Sequence, residues 1–446
     1  MKKLILSVLL IPAVFSAQQT VSRDAEIANY VSQVSADSLK SHINKLVSFG
    51  TRHTMSSTTD AKKGIGAARN WVLSKFKNYA KNTDGRMEVF LQSQTIQPDG
   101  KRINQSTDLG NAIAILRGTD PNDKRIFMIG GHLDSRVSDV MNAKDFAPGA
   151  NDDGSGVGAV IESARILSQS KFPATIVFVA FSGEEQGLLG AKMLAEKAKN
   201  ENWQLEALLN NDMIGNNLTS ETNLINANQL RVFSEGLPQF DLDKKAQGIR
   251  NLGLENDGEA RQLARYIKEI GERYVDNLEV KLIYRNDRFL RGGDHTSFVN
   301  QGFSAVRLTE FNENYDHQHQ DIRKENGKQF GDLPEFMDFE YFKKNVGVNV
   351  SVLANLAKSP SKPENVKMDV KELTNFTTIH WEKPKNGEVV GYYVLMRETD
   401  SSIWQKKFFT KENSMKLPYS KDNYFFAVQA VNSSGNESLI VIPSVK

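Results

Sequence analysis

Residues 174–185 read Ala-Thr-Ile-Val-Phe-Val-Ala-Phe-Ser-Gly-Glu-Glu, and this stretch decides the fold class. The unbroken apolar run Ala174–Phe181 is typical of a β-strand that is buried on both faces, as at the centre of a parallel sheet. A Ser-Gly turn ends the run, and the paired acids Glu184 and Glu185 follow directly. Because sites in open α/β sheets lie outside the carboxyl ends of strands, we expect these acids at a functional edge.

The segments on either side of this strand alternate between strand and helix patterns, which predicts a layered α/β sheet. Helical spacing runs from Asp37 to Phe76 with an interruption at Gly50–His53. The other predicted elements are strands Met87–Gln94, Asn111–Arg117, Arg125–Ile129, Glu206–Met213, Leu278–Tyr284 and Ala305–Leu308, helices Gly156–Gln169, Leu188–Ala198 and Ala260–Asn277, and a helical stretch in Glu335–Ala357.

The pattern changes after the sequence Ser-Pro-Ser-Lys-Pro at residues 359–363, which is typical of a linker. Beyond it, the runs Thr377–Trp381, Gly391–Arg397 and Tyr424–Asn432 alternate or are rich in aromatic residues, with turns between them. They predict a small all-β domain. We therefore expect one domain at 18–358, the linker at 359–363 and a second domain at 364–446.

Residues 1–17 combine Lys2 and Lys3 with a short apolar run and the small residues Ser16 and Ala17, which is the pattern of a signal peptide. The run is too short for a comfortable membrane span, so we expect secretion to the periplasm or the medium. The absence of Cys excludes disulfides, thiolate metal sites and cysteine nucleophiles. The 56 basic and 54 acidic residues are nearly balanced, which gives no reason to expect nucleic acid as a partner.

Further ionisable side chains follow other predicted strands. His132 and Asp134 come just after the strand that precedes them, Asp152 lies in an Asn-Asp-Asp-Gly stretch that opens a helix, and Asp212 lies near the end of a third strand. Carboxylates and imidazole are the ligands that a hydrolytic two-metal site needs. Asp134 could also fix the tautomer of His132 from behind.

The pair Glu184–Glu185 fits two different tasks. A carboxylate can ligate one or both of two cations at roughly 3.5–4 Å separation. Another carboxylate must stay unligated to take a proton from a bound water. Neighbouring residues on an irregular turn can point in different directions, one to metal and one to water.

Together these motifs resemble those of the zinc exopeptidases of metallopeptidase family 28, the group of bacterial leucyl aminopeptidases and glutamate carboxypeptidases. The resemblance covers residues 40–357 and implies a three-layer mixed sheet with helices on both faces, with two Zn²⁺ per chain. It also implies these roles: His132 and Asp212 on one zinc, Asp152 bridging both, Glu185 on the second zinc, Glu184 as general base, and a cis peptide between Asp152 and Asp153.

The remaining ligand of the second zinc is expected in Glu313–Asp321. Family members tend to show a His followed four positions later by an acid, which favours His317, with His319 as the alternative. A Tyr often directly precedes this His, whereas here Asp316 stands between Tyr315 and His317. Tyr315 is therefore an open candidate for contact with the substrate.

Two other segments resemble known elements. Asp294 and His295, in Gly-Gly-Asp-His-Thr-Ser-Phe, match a family motif and are expected to shape the site rather than to bind metal. The C-terminal strands resemble a fibronectin type III domain, an immunoglobulin-like sandwich in which Trp381 is the buried core tryptophan and Tyr424 packs at a strand corner. Such a domain could contact a surface or polymer, or only space or stabilise the enzyme.

The expected function is removal of amino-terminal residues from peptides, because acid-rich motifs suit recognition of a free amine. Arg136 is the one nearby cation that the motifs identify, so a carboxypeptidase of the same family stays open. Two further alternatives stay open: a glutaminyl cyclase, which uses one zinc for acyl transfer, and an inactive scaffold for the fibronectin-like module. The expected substrates are peptides with a free amino terminus.

Overall fold

The computed structural model describes residues 23–237 and 247–445. The expected signal peptide at 1–17 lies outside the described residues. In the part of the chain that is described, no helix has the length and apolar character needed to cross a bilayer.

One mixed sheet of eight strands forms the centre of the N-terminal domain. Its order is β1-β2-β4-β3-β5-β8-β6-β7. The strands are β1 (Met87–Ile96), β2 (Thr107–Leu116), β3 (Arg125–His132), β4 (Thr175–Phe181), β5 (Gln204–Asn211), β6 (Gln229–Phe233), β7 (Glu279–Ile283) and β8 (Ala305–Glu310). A small hairpin, β9 (Arg323–Glu325) and β10 (Lys328–Phe330), lies outside this sheet.

Four neighbouring strands, β4, β3, β5 and β8, run parallel to one another. Every residue of β4 is buried, which explains the unbroken apolar run in the sequence. β2 pairs antiparallel with β4, and β6 pairs antiparallel with β8, so the sheet is mixed. The carboxyl ends of the four parallel strands consequently meet at one edge, and the acidic motifs follow these ends.

Helices cover both faces of the sheet, so the three-layer α/β prediction is confirmed. Most of the helices and the larger hydrophobic core lie on one face of the sheet. Helices α5 and α7 cover the other face, where Leu194 of α5 and Phe298 of α7 share a second core with Val179 and Leu208. The helices are α1 (Ala25–Ser32), α2 (Ala36–Val47), α3 (Gly64–Ala80), α4 (Gly154–Leu167), α5 (Leu189–Asn200), α6 (Glu259–Tyr274), α7 (Asp294–Val299) and α8 (Phe339–Lys358).

Helix α7 and strand β6 are among the elements that the sequence did not predict. Helix α7 has only six residues, too few to establish a helical period. Strand β6 lies in the irregular region 216–256 and is held by its pairing with β7 and β8. Both are stabilised by tertiary contacts rather than by their own sequence pattern.

The C-terminal part is a sandwich of two sheets, β15-β12-β11-β17 and β14-β13-β16. Its strands are β11 (Glu364–Met368), β12 (Thr377–Glu382), β13 (Gly391–Glu398), β14 (Lys406–Thr410), β15 (Ser414–Leu417), β16 (Tyr424–Val431) and β17 (Ser444–Val445). Trp381 is buried in the sandwich core, with its ring 5.3 Å from that of Tyr392. Tyr424 packs on the ring of Tyr419 at 5.6 Å, so the expected aromatic core is present.

Buried ionic contacts join the sandwich to α6. The carboxylate of Glu437, which is fully buried, accepts two hydrogen bonds of 2.7 Å from the guanidinium of Arg273. Asp257 accepts from Arg265 at 2.8 Å and from Arg397 of the sandwich at 2.6 Å. Because bidentate arginine–carboxylate pairs fix geometry as well as charge, these contacts hold the two domains in one orientation.

Replacing Glu437 by Ala should destabilise both domains together. Removal of one partner from a buried ionic cluster leaves an excess charge and costs about 3–5 kcal/mol, because Arg273 and Lys407 would then share the single carboxylate of Glu269. Chemical denaturation should show a lower free energy of unfolding in a single transition. The control is Lys385→Ala, which breaks the exposed pair with Glu364 and should change stability little. Two separate transitions, or equal small effects, would contradict this coupling.

Candidate metal centre

Two groups of potential metal ligands meet at the carboxyl edge of the sheet and share one residue. His132, Asp152 and Asp212 form the first, and Asp152, Glu185 and His319 form the second. In each group the ligand atoms lie within 4.8 Å of one another. The distance from His132 Nε2 to Asp152 Oδ1 is 3.1 Å, and that from His319 Nε2 to Glu185 Oε1 is 2.7 Å. Asp152 therefore stands between two adjacent sites.

His132 is the last residue of β3 and is oriented by the main chain. Its Nδ1 lies 3.0 Å from the carbonyl oxygen of Asp134, which makes Nδ1 the hydrogen-bearing nitrogen and leaves Nε2 facing Asp152 and Asp212. The carboxylate of Asp134 is 3.8 Å away. The expectation that this carboxylate fixes the tautomer is therefore wrong, because the carbonyl of the same residue is closer.

The Asp134 carboxylate instead holds the turn after β4. Its oxygens accept hydrogen bonds from the main-chain N–H groups of Gly183 at 2.9 Å, Glu184 at 3.2 Å and Glu185 at 3.0 Å. Three fixed N–H groups compensate the burial of this charge. The same contacts set the directions in which the Glu184 and Glu185 side chains leave the main chain. Asp134 is thus a positioning residue.

The loop that presents Asp152 is held from two sides. Buried Arg52 donates to the carbonyl oxygens of Pro148 at 2.6 Å and Gly149 at 2.9 Å. Asp332 accepts from the N–H groups of Asn151 and of Asp152, the latter at 2.7 Å. The peptide between Asp152 and Asp153 is cis, as the resemblance implied.

Asp153 ties the ends of three elements together. Its carboxylate accepts from the N–H groups of His132 at 2.9 Å, Gly156 at 2.8 Å and Met213 at 3.2 Å. The contact with Gly156 is the N-cap of α4. One buried carboxylate thereby fixes the relative positions of His132, Asp152 and Asp212.

Glu184 belongs to neither ligand group, although it is adjacent to Glu185. Burial, together with the negative charges of Glu185, Asp212 and Asp294, raises the pKa of Glu184 well above that of an ordinary glutamate. A carboxylate with a raised pKa that is not a ligand suits proton transfer near neutral pH. The role of Glu184 as general base stays a prediction.

Asp212 has a buried cationic partner. Arg307 Nη2 lies 3.1 Å from Asp212 Oδ1, and Nη1 of the same guanidinium donates to Asp287 at 2.7 Å. Arg307 is fully buried on β8, next to β5. The guanidinium offsets the negative charge of Asp212 and limits the directions that its carboxylate can take.

The structure corrects the expectation for His317. Its ring stacks on that of Phe336 at 3.8 Å, and burial lowers its pKa to about 4. His319, the alternative considered from the sequence, lies between Asp152 and Glu185 instead. The physical reason is local: His319 adopts a left-handed conformation with φ 54°, which turns its side chain towards the cluster. Gln318 donates to Asp152 Oδ2 at 3.1 Å.

The three residues that were expected to shape the site are placed differently from one another. Asp294 and His295 are buried at the start of α7. Burial and the charges of Asp134 and Asp212 raise the pKa of Asp294 to about 8. Tyr315 is 54% exposed, and its N–H donates to Ser220. Tyr315 therefore lies on the surface, whereas Asp294 lies close to the ligands.

Sequence reasoning missed the residues that support the ligands, namely Arg52, Arg307, Gln318 and Asp332. Arg52 belongs to the Gly-Thr-Arg-His interruption, and that break in the helical pattern was its only signal. Arg307 lies inside a predicted strand, where a cation between apolar residues was the available clue. For Gln318 and Asp332 the sequence holds no signal, because their partners are more than 160 positions away.

The donor set fits zinc. Each group offers imidazole nitrogen and carboxylate oxygen, which are ligands that Zn²⁺ accepts at catalytic sites, with positions left for water and substrate. Three protein ligands in each group and one shared carboxylate match the arrangement of a two-metal hydrolytic site. His132, Asp152 and Asp212 would hold one ion, and Asp152, Glu185 and His319 the other.

Known proteins resemble the chain at the sequence level. The model of peptidase family M28 matches residues 111–333, and that of the fibronectin type III domain matches 361–443. A probable zinc metalloprotease of Leptosphaeria maculans is 42% identical over 421 residues, covering 94% of this chain and 97% of the relative. A probable zinc metalloprotease of Pyrenophora teres f. teres is 41% identical, covering 94% and 87%.

Solved structures share the fold at lower identity. LapA aminopeptidase of Legionella pneumophila has a TM-score of 0.53 at 20% identity, with 76% of each chain covered. An aminopeptidase of Aneurinibacillus sp. strain AM-1 has a TM-score of 0.50 at 16% identity, with 75% of this chain and 96% of that chain covered. The relatives and the family match show that this chain belongs to peptidase family M28, with a fibronectin type III domain at its C-terminus.

Proposed function

We propose that this M28 family member is a secreted two-zinc exopeptidase that removes amino-terminal residues from peptides. The observation that carries the proposal is the sharing of Asp152 by two ligand groups, with Glu184 beside them but in neither. The curated relatives are named probable zinc metalloproteases, which supports the choice of metal and of reaction. The number of zinc ions and the preference for amino termini are part of what we propose.

The side chains of the protein position the reacting groups and transfer the proton. Bound zinc would polarise the scissile carbonyl and lower the pKa of bound water. Glu184 takes a proton from the attacking water and passes it to the leaving amine. Asp134 fixes the turn that carries Glu184, so the carboxylate stays directed towards the cluster. Asp153 and Asp332 keep the loop of Asp152 in register with β3 and β5.

The charge distribution favours an amine over a carboxylate at the reacting end. Asp294 and Glu184 lie near the first ligand group, which itself contains Asp212, and Arg307 is the cation closest to Asp212. Asp287 already pairs with the Arg307 guanidinium, which is fully buried. A free amino terminus would therefore find carboxyl groups there that can accept its N–H donors, which supports an aminopeptidase over a carboxypeptidase.

Replacing Glu184 by Gln should abolish turnover while two zinc ions remain bound. The amide cannot accept the proton from water, so kcat should fall by about 10²-fold or more. The measurement is release from amino-terminal aminoacyl-anilides, with amino-blocked peptides assayed in parallel. The control is Glu201→Gln, on an exposed residue after α5. Undiminished turnover in Glu184→Gln would contradict the role of the base, and one zinc with cyclisation of amino-terminal Gln would indicate the cyclase.

Replacing His319 by Ala should reduce the zinc content from two ions per chain to one. The second group then keeps only Asp152 and Glu185, which are too few protein ligands for a catalytic zinc site. His317→Ala is the matched control, two positions away, and should retain both ions because its ring contacts Phe336. Metal content by mass spectrometry separates the two variants. A loss of zinc in His317→Ala alone would reverse the assignment.

Secretion is supported by the leader pattern in the sequence. Protein recovered from the periplasm or medium should begin at Ala17 or Gln18, which amino-terminal sequencing would measure directly. Mature protein that still carries Lys2 and Lys3 would contradict this part of the proposal.

A further inference from the structure

The two ends of the ligand cluster are bordered by different groups. The end formed by His132 and Asp212 is bordered by the carboxyl group of Asp294. The end formed by Glu185 and His319 is bordered by the guanidinium of Arg136. A substrate that lies across the shared Asp152 therefore meets carboxyl groups at one end and a positive charge at the other.

Arg136 lies directly against the second ligand group. Its Nε is 3.0 Å from Glu185 Oε2, and its Nη2 is 2.7 Å from His319 Nδ1. Its side chain is 16% exposed, whereas that of Glu185 is 5% exposed. Among the described residues Nη1 makes no hydrogen bond. The guanidinium therefore keeps free N–H donors at a position that solvent can reach.

Asp294 provides free carboxyl oxygens at the other end. It is 1% exposed, and both of its carboxyl oxygens are without a hydrogen-bond partner among the described residues. Arg307, which could have paired with it, is engaged with Asp212 and Asp287. This end of the cluster therefore keeps carboxyl oxygens that no other side chain occupies.

We propose that Arg136 is a specificity-determining residue that binds a carboxylate on the leaving-group side of the scissile bond, which makes dipeptides the preferred substrates. This inference rests on the proposed function. In a dipeptide the free carboxylate is one residue beyond the scissile bond, and the amine is one residue before it. A dipeptide carries these two groups on opposite sides of the scissile bond, which would place the amine towards Asp212 and Asp294 and the carboxylate towards Arg136.

The expected preference follows from the strength of hydrogen bonds between ions. A charge-assisted contact in a partly enclosed site favours the charged ligand by about 10- to 100-fold in affinity. The enzyme should therefore hydrolyse Leu-Ala with a kcat/KM about 10- to 100-fold above that for Leu-Ala amide. The amide keeps the amine and the scissile bond and lacks only the carboxylate.

The test compares these two substrates in Arg136→Gln, Arg136→Lys and the matched control Arg102→Gln. Arg102 is exposed and donates to the main-chain carbonyl of Glu185. Its replacement by Gln therefore removes the same charge nearby, at a residue that does not contact the ligand side chains. Arg136→Gln should bring the ratio close to one, Arg136→Lys should restore part of it, and Arg102→Gln should keep it. The zinc content of each variant is measured on the same samples.

A binding measurement separates recognition from turnover. In Glu184→Gln enzyme loaded with zinc, calorimetry should give a lower Kd for Leu-Ala than for Leu-Ala amide. Adding Arg136→Gln should remove that difference. Since neither peptide is turned over in this background, the difference reports contact with the carboxylate alone.

Each outcome bears on one of the two proposals. Equal hydrolysis of the acid and the amide by the unmodified enzyme overturns the inference and leaves the aminopeptidase intact. Equal loss of preference in Arg136→Gln and Arg102→Gln also overturns it, because a diffuse field would then be responsible. Cleavage of N-acetyl-Leu-Ala in place of the free peptides overturns the proposed function. If Arg136→Gln then no longer cleaved N-acetyl-Leu-Ala, that result would still support contact between Arg136 and the carboxylate.

Discussion

Negative charge buried at the carboxyl edge of the central sheet is the constraint on which the rest of this structure depends. Asp134, Asp152, Asp153, Glu185 and Asp212 are all buried there. A buried carboxylate stays ionised only when donors or cations compensate it. Asp134 and Asp153 are compensated by main-chain N–H groups, and Asp212 by Arg307. Asp152 and Glu185 face histidines and Arg136, and they are the carboxylates that a metal would stabilise.

The same hydrogen-bond donors and acceptors also hold the loops that carry the candidate ligands in one conformation. Asp134 fixes the turn after β4, Asp332 and Arg52 fix the loop before α4, and Asp153 connects that loop to β3 and to the segment after β5. Each of these contacts uses main-chain groups that would otherwise be unsatisfied in the interior. The same set of hydrogen bonds thus compensates the buried charges and positions the ligands.

Helix α8 extends this support to the fibronectin type III domain. Near its middle, Asn349 bonds the side chain of Asn211, one residue before Asp212. Near its end, Asn355 accepts from Asn436 of the sandwich at 3.1 Å. The buried pair of Glu437 with Arg273 fixes the same interface. The sandwich therefore stabilises the helices behind the metal centre, and this role requires no outside partner.

The sequence by itself determined the layered α/β fold and the β-sandwich, because apolar runs are local patterns. It also identified His132, Asp152, Glu184, Glu185 and Asp212 as candidates. Four of them end or follow a strand, Asp152 precedes helix α4, and the family resemblance supplied their roles. Tertiary structure decided the rest. The choice of His319 over His317 depends on one left-handed residue and on stacking against Phe336. The positions of Arg52, Arg307 and Asp332 depend on partners remote in the chain, which a local pattern does not encode.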